Sequence, residues 1–169
     1  MPSNVHDQTI AVLLRGLRNL ESSLKKGEAH AATHGLDPAE LLGARLAGDM
    51  YDLAEQAHWA AEGARLAAAR LVGEATSPRP PAAKTFAQLY EAIAATVAHL
   101  EGLDSVALEA GLEGSVVLEH RGTSTSMSGW QFFLQLALPS LFFHATTAYG
   151  ILRHQGVPVT KNEFIGALG

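Results

Sequence analysis

The side chain with the clearest chemical potential in this sequence is the imidazole of His144. It belongs to the segment FFHATTAYGILRHQGV. At about 100° per residue, a helix there places Ala137, Leu141, His144, Ala148 and Ile151 on or beside one apolar stripe. An imidazole can ligate a metal ion, exchange a proton or hydrogen-bond to a neighbour. The sequence therefore predicts that His144 has a functional or structural partner.

One candidate partnership is a divalent metal site. Such a site needs about three nitrogen or oxygen ligands from facing helices and an open position for water or substrate. The candidate ligands are His144, His58 and Asp49, and the candidate ions are zinc, nickel and manganese. One turn after His144 the chain has Ala148, so an i,i+4 histidine pair is absent there. A core histidine bonded to a side chain or carbonyl is the alternative, and the sequence leaves both open.

A second candidate is a polar pocket in which Asp49, Gln56 and Tyr90 surround His144. A carboxylate beside a buried imidazole would orient it, or hold its charge, for general base catalysis or for ligand binding. Ordinary helix-surface polarity is the alternative interpretation of the same residues.

The remaining motifs favour structural roles. We predict solvated structural roles for four other histidines, namely His30, His34, His99 and His120. The sequence has no glycine-rich phosphate loop, no Gly-x-Ser-x-Gly elbow and no paired acids with hydrolase spacing. Trp59 lies on the face of its helix away from the apolar stripe, so it is a candidate for a subunit interface.

Helical periodicity organises the first half of the chain. Leucines at spacings of three and four predict a first helix over residues 5–27. The sequence Asp37-Pro38-Ala39-Glu40 predicts the next helical start, and the stretch that follows reaches Leu71 with a break near Gly48. Its predicted inward stripe is Leu46, Met50, Leu53, Ala57, Ala60, Ala64, Ala68 and Leu71.

The second half predicts two more helices and an insertion. Prolines exclude a helix from residues 73–83, and Thr85 with Gln88 starts a third helix that ends at Gly102. Residues 104–129 favour a small hairpin or ordered loop, with a turn near Arg121-Gly122. Ser128 and Gln131 cap the last helix, Pro139 predicts a kink in it, and Gln155-Gly156 end it. Phe164 is expected to pack back onto the bundle.

Composition narrows the class of protein. The chain has 169 residues, 47% of them hydrophobic and 17% charged, with net charge −5 and no cysteine. Together with the helical patterns described above, these values predict one globular all-α domain over residues 1–169, with no nucleic-acid footprint and no disulfides. The longest apolar run, Leu134–Phe143, is too short to span a membrane, and no secretory signal is visible, so we expect a cytoplasmic protein.

Two blocks of sequence carry a family resemblance. LLGARLAGDMYDLAEQ (41–56) and LPSLFFHATTAYGILRHQGVPVTKNEFIG (138–166) resemble an uncharacterised bacterial family within the DinB/YfiT-like superfamily. The resemblance implies a four-helix bundle with a long crossover, often dimeric. It also implies a divalent metal held by one histidine on helix two and a His-x-x-x-His pair on helix four. His144 matches the first histidine of that pair, Ala148 replaces the second, and either His58 or Gln56 lies near the helix-two position.

Three functional hypotheses follow from these residues. The first is a homodimeric bundle that binds a small ligand around His144, with the superfamily metal site incomplete. The second is a metal-dependent transferase or hydrolase of the DinB/YfiT type, using His144, His58 and a third ligand such as Asp49. The third is a structural dimerisation module with Trp59 or other exposed apolar groups at its interface.

Overall fold

The computed structural model describes residues 5–75, 81–120 and 122–166, except for the side chain of His120. Its elements, in chain order, are α1 (Val5–Gln8), α2 (Ile10–His34), α3 (Pro38–Leu42), α4 (Leu53–Leu71), α5 (Phe86–Glu101), α6 (Ser105–Glu113), β1 (Ser115–His120), β2 (Thr123–Ser128), α7 (Gly129–Phe132), a π-helical turn (Phe133–Ala137), α8 (Leu138–His154) and α9 (Lys161–Ile165). The predicted helical bundle with a small hairpin before the last helix is confirmed.

Four long helices, α2, α4, α5 and α8, form the bundle. α4 packs most extensively against α8 and α5, and α2 packs against α8 and α5. The predicted α2 stripe is buried, from Ile10 to Leu24, and so is the α4 stripe from Leu53 to Leu71. Alanines dominate the α4 stripe, and small side chains let neighbouring helices approach closely. No helix in the described ranges is long and apolar enough to cross a bilayer.

Local capping sets where α4 begins. The Asp52 carboxylate accepts a hydrogen bond from the Glu55 backbone N–H at 2.9 Å. The Glu55 carboxylate in turn accepts from the Asp52 N–H at 3.2 Å. This reciprocal capping box satisfies N–H groups that the first helical turn leaves without partners. It places Gln56 at the end of the first turn of α4.

Two helical boundaries differ from the prediction. α2 runs to His34, seven residues past Gly27, and ends at Gly35, whose φ of +63° suits glycine. The predicted break near Gly48 is present, but it extends over residues 43–52. Leu46 therefore lies in a non-helical segment with 48% of its surface exposed, and Met50 is only half-buried. Their prediction as part of the inward stripe was wrong because the helical register does not continue through this segment.

The insertion before the last helix contains an unpredicted helix as well as the predicted hairpin. Asp104 caps α6 by accepting from the Ala107 N–H at 2.8 Å. β1 and β2 then pair antiparallel from Ser115–Ser128 to His120–Thr123. At the predicted turn, Gly122 has a φ of +79°, while Arg121 lies outside the described residues. The middle of the predicted connector, residues 76–80, lies outside them as well.

The predicted last long helix corresponds to α7, the π-helical turn and α8. It begins as predicted and is irregular near its proline. Ser128 and Gln131 form a capping box at the start of α7. The π-helical turn ends just before α8, with the Leu138 N–H bonded to the Phe133 carbonyl. Pro139 has no N–H to donate, which favours an irregularity at this place. The ring centroid of Phe164 lies 5.5 Å from that of Tyr149, which confirms the predicted return of the C-terminal segment onto the bundle.

Candidate functional site

The centre of the candidate site is a hydrogen bond between α8 and α4. Nδ1 of His144 lies 2.8 Å from Oε1 of Gln56. Gln56 is almost fully buried, and His144 is half-buried at the edge of the predicted stripe. Its predicted neighbours on that stripe, Ala137, Leu141, Ala148 and Ile151, are buried. The site is therefore a polar pair at the border of the apolar core.

The partners of Gln56 determine which nitrogen of His144 carries the proton. The Gln56 amide nitrogen donates to the Tyr51 carbonyl at 3.2 Å, so the amide oxygen faces the imidazole. An amide oxygen only accepts hydrogen bonds, and Nδ1 must therefore be the protonated nitrogen of the neutral ring. The lone pair of Nε2 then points away from Gln56. Within the described ranges, no other group hydrogen-bonds to the His144 ring.

Burial sets the charge of this imidazole. Removal of His144 from water lowers its pKa below the ordinary histidine value, because the low-dielectric surroundings disfavour the charged form. The neighbouring Gln56 is neutral and supplies no compensating charge. The ring is therefore neutral at physiological pH, with Nε2 available as a hydrogen-bond acceptor, a base or a single metal ligand.

A groove of about 210 Å³ begins one turn from the pair along both helices. Trp59 lies three residues after Gln56, and Ser140 lies four residues before His144. Leu136 and Arg70 contribute an apolar and a cationic group to the same groove. The Trp59 ring stacks on Tyr51, with 6.2 Å between their centroids. The groove thus combines an aromatic wall, a hydroxyl group and a positive charge.

The other predicted site residues have separate surroundings. Asp49 lies in the exposed segment between α3 and α4. The Tyr90 hydroxyl donates to Glu28 of α2 at 2.8 Å. Burial, and then the Glu28 carboxylate, raise the pKa of the Tyr90 phenol. Of the predicted polar set, the structure brings Gln56 to His144, while Asp49 lies on an exposed segment and Tyr90 bonds to α2.

His58 lines a second cavity. It is buried on the side of α4 that faces α5, in a space of about 230 Å³ shared with Glu62, Arg65 and Thr96. The Arg65 guanidinium donates to both carboxylate oxygens of Glu62, at 2.9 and 2.8 Å. Gln56, and not His58, is thus the α4 residue that contacts His144. This answers the question of register that the sequence left open.

These positions do not fit the metal site that the family resemblance implies. In the described part of the chain, no three histidine or carboxylate side chains converge as a metal-ligand group. The predicted trio His58, His144 and Asp49 is not assembled, since His58 lines the α5-facing cavity and Asp49 lies on an exposed segment. His144 has an amide as its partner, and an amide oxygen is a weaker ligand than imidazole for the transition metals proposed above.

Two features of the site were missed from the sequence. Ser140 was recognisable in principle, because a residue four before His144 lies on the same face of a helix. The Tyr51 carbonyl had no sequence signal, since any residue supplies a backbone carbonyl. Its position depends on the path of the non-helical segment before α4.

Comparisons with known proteins agree with this architecture. The family model described as a domain of unknown function, DUF1993, matches residues 5–165. A crystal structure of a DinB family member protein from Shewanella denitrificans is 33% identical to this chain. The similarity covers 97% of this chain and 93% of that one, with a TM-score of 0.87. No protein of curated function matches. The chain therefore belongs to the DUF1993 family, a DinB-like family of helical bundles.

Proposed function

We propose that this protein binds a small organic ligand between α4 and α8, with His144 at the border of the groove that begins one turn away. The observation that supports the proposal is the pair of hydrogen bonds from His144 to Gln56 and from Gln56 to the Tyr51 carbonyl. These bonds hold the ring in one tautomer and leave Nε2 as an oriented acceptor. A preorganised polar group beside a groove is typical of small-molecule sites.

The groove specifies a class of ligand. A neutral Nε2 accepts a hydrogen bond, so the ligand carries an N–H or O–H donor. Trp59 and Leu136 suit a flat apolar or aromatic body, and Arg70 suits an anionic group at the far end. An aromatic ring with a hydroxyl or amino substituent meets the first two requirements. Arg70 lies fourteen residues after Gln56, about 21 Å along α4, so it suits an anionic group on a chain that extends from the ring. A groove volume of about 210 Å³ limits the ring system of the ligand to one or two rings.

The test is a fragment screen by ligand-observed NMR, with hydroxy- and amino-substituted aromatic acids as probes. We expect hits whose affinity falls by about tenfold in His144→Leu, since a lost hydrogen bond to a bound ligand costs roughly 1.4 kcal/mol. His154→Leu is the matched control, because it removes an exposed histidine near the end of the same helix. Hits that bind His144→Leu as well as the wild type would refute the proposal.

Dimerisation is a second candidate role, and exposed apolar side chains beside the site favour it. Phe143 is 58% exposed, Tyr51 is 46% exposed and Leu136 is 44% exposed. Phe143 packs edge-on to His144, so a partner over this face would close the groove. We propose a homodimer through this surface. Light scattering after size exclusion should give the mass of a dimer for the wild type and of a monomer for Phe143→Asp. A wild-type monomer at high concentration would exclude the homodimer.

A further inference from the structure

We infer that His30 and His34 form a separate site that chelates a divalent transition-metal ion at the end of α2. The two residues are four apart and therefore lie on one face of the helix. Their ring centroids are 4.0 Å apart, with an interplanar angle of 32°. Histidines four residues apart on one helical face are the arrangement with which two imidazoles bind one zinc ion in helical metal sites.

The hydrogen bonding of His34 prepares it as a ligand. Its Nδ1 lies 2.9 Å from the His30 backbone carbonyl. A carbonyl only accepts, so Nδ1 carries the proton and Nε2 keeps its lone pair. Metal-ligating histidines are commonly oriented in this way, with the second ring nitrogen bonded to a backbone carbonyl. The His30 ring makes no hydrogen bond to any residue that the structure describes, and its nitrogens are free for the same ion.

The surroundings favour a bound cation. The pair lies within the last two turns of a 25-residue helix, where the partial negative charge of the helix C-terminus stabilises positive charge. The nearby Lys26 ammonium is paired with the Glu163 carboxylate, which offsets its charge. A groove of about 320 Å³, lined also by Thr33 and Pro158, leaves room for water or a carboxylate to complete the coordination.

The ligand type identifies the metals. Two neutral imidazoles suit Zn²⁺, Ni²⁺ and Cu²⁺ and discriminate against Mg²⁺ and Ca²⁺, which require oxygen ligands. The site is independent of the ligand groove proposed above, because it is built from α2 and the segment after α8, whereas the groove lies between α4 and the last helix.

The test is a calorimetric titration of Zn²⁺ into the untagged, metal-stripped full chain. We expect one equivalent of Zn²⁺ to bind. His30→Ala and His34→Ala should each weaken binding at least about tenfold, the lower end of the losses seen when residues around a bound metal are changed. His154→Ala should leave the binding unchanged. Circular dichroism should show the wild-type helical signal for all variants, since neither ring belongs to the buried core.

A respaced variant separates chelation from binding to a lone histidine. Ala32→His combined with His34→Ala keeps eight histidines but places the second ring two residues from His30, about 200° around the helix. We expect this variant to bind as weakly as His34→Ala alone. Zinc binding that survives in the respaced variant, or that depends on only one of the two histidines, would overturn the inference.

Discussion

His144 and Gln56 are separated by 88 residues, yet Nδ1 of the first lies 2.8 Å from Oε1 of the second. The bond joins α8 to α4. The amide nitrogen of Gln56 donates to the carbonyl of Tyr51, which lies just before α4 begins. One amide group thus connects three parts of the chain. The orientation of the candidate ligand-binding imidazole depends on it.

Replacement of Gln56 by leucine should destabilise the fold and release the imidazole. The change leaves Nδ1 of His144 and the Tyr51 carbonyl without their partner, which costs about 1–3 kcal/mol for a buried polar group. Urea denaturation measures the free energy of unfolding. Gln135→Leu is the control, because Gln135 is exposed in the π-helical turn just before α8. Equal stability of the two variants would contradict the structural role of the bond.

The pKa of His144 should lie below the ordinary histidine value of about 6.5. Burial is the cause. The unfolded chain takes up a proton near pH 6.5, whereas the folded state resists it until the lower pKa is reached. The free energy of unfolding should therefore fall as pH decreases through this window, and His144 should contribute nothing above it. NMR titration of the His144 Hε1 proton checks the pKa directly.

Two substitutions test the predicted pH dependence and its cause. His144→Gln should remove that part of the pH dependence of stability. Gln56→Glu should raise the pKa of His144, because an adjacent carboxylate favours the imidazolium form. A wild-type titration midpoint at or above the ordinary value would contradict the burial of the ring.

Loss of one partner of the Glu62–Arg65 pair should destabilise the fold more than loss of both partners. The Glu62 side chain is only 5% exposed, and Arg65 donates to both of its oxygens. Arg65→Ala leaves a buried carboxylate unpaired, which we expect to cost about 3 kcal/mol. Arg65→Ala combined with Glu62→Ala should recover much of that loss in thermal or urea unfolding. Arg15→Ala, at an exposed position on α2, provides the control for removal of a positive charge.

Alanine at position 111 should disrupt the packing of α6 on the bundle. A Cβ atom at Gly111 would lie 1.6 Å from the Leu71 carbonyl oxygen, so one backbone must move. We expect a loss of about 3 kcal/mol or more, at the upper end of overpacking effects. Gly48→Ala is the matched control, because a Cβ there meets nothing within 4 Å. Comparable melting temperatures for the two variants would contradict the close approach of α6 to α4.

Local chemistry explains which parts of the fold were predictable. The caps at Asp37, Thr85 and Ser128 lie in the sequence beside the N–H groups they satisfy, so helix starts could be recognised from a few residues. The α2 and α4 stripes were predictable because helical periodicity depends only on spacing. α6 was missed because its nine residues have a weak pattern and lie beside strand-forming residues. The extension of α2 to His34 was not predictable, because a glycine such as Gly27 is typical of a helix end.

The sequence by itself determined the class of fold, the four long helices, the hairpin and His144 as the residue at the centre of the candidate site. It could not determine the α4 partner of His144. Gln56 and His58 are only two positions apart, yet their side chains lie about 200° apart around the axis of α4. Which of them faces α8 depends on the rotation of α4 about its axis, and the packing of its alanines against two neighbouring helices sets that rotation. Only the tertiary structure therefore assigned Gln56 to His144 and directed His58 to the cavity beside α5.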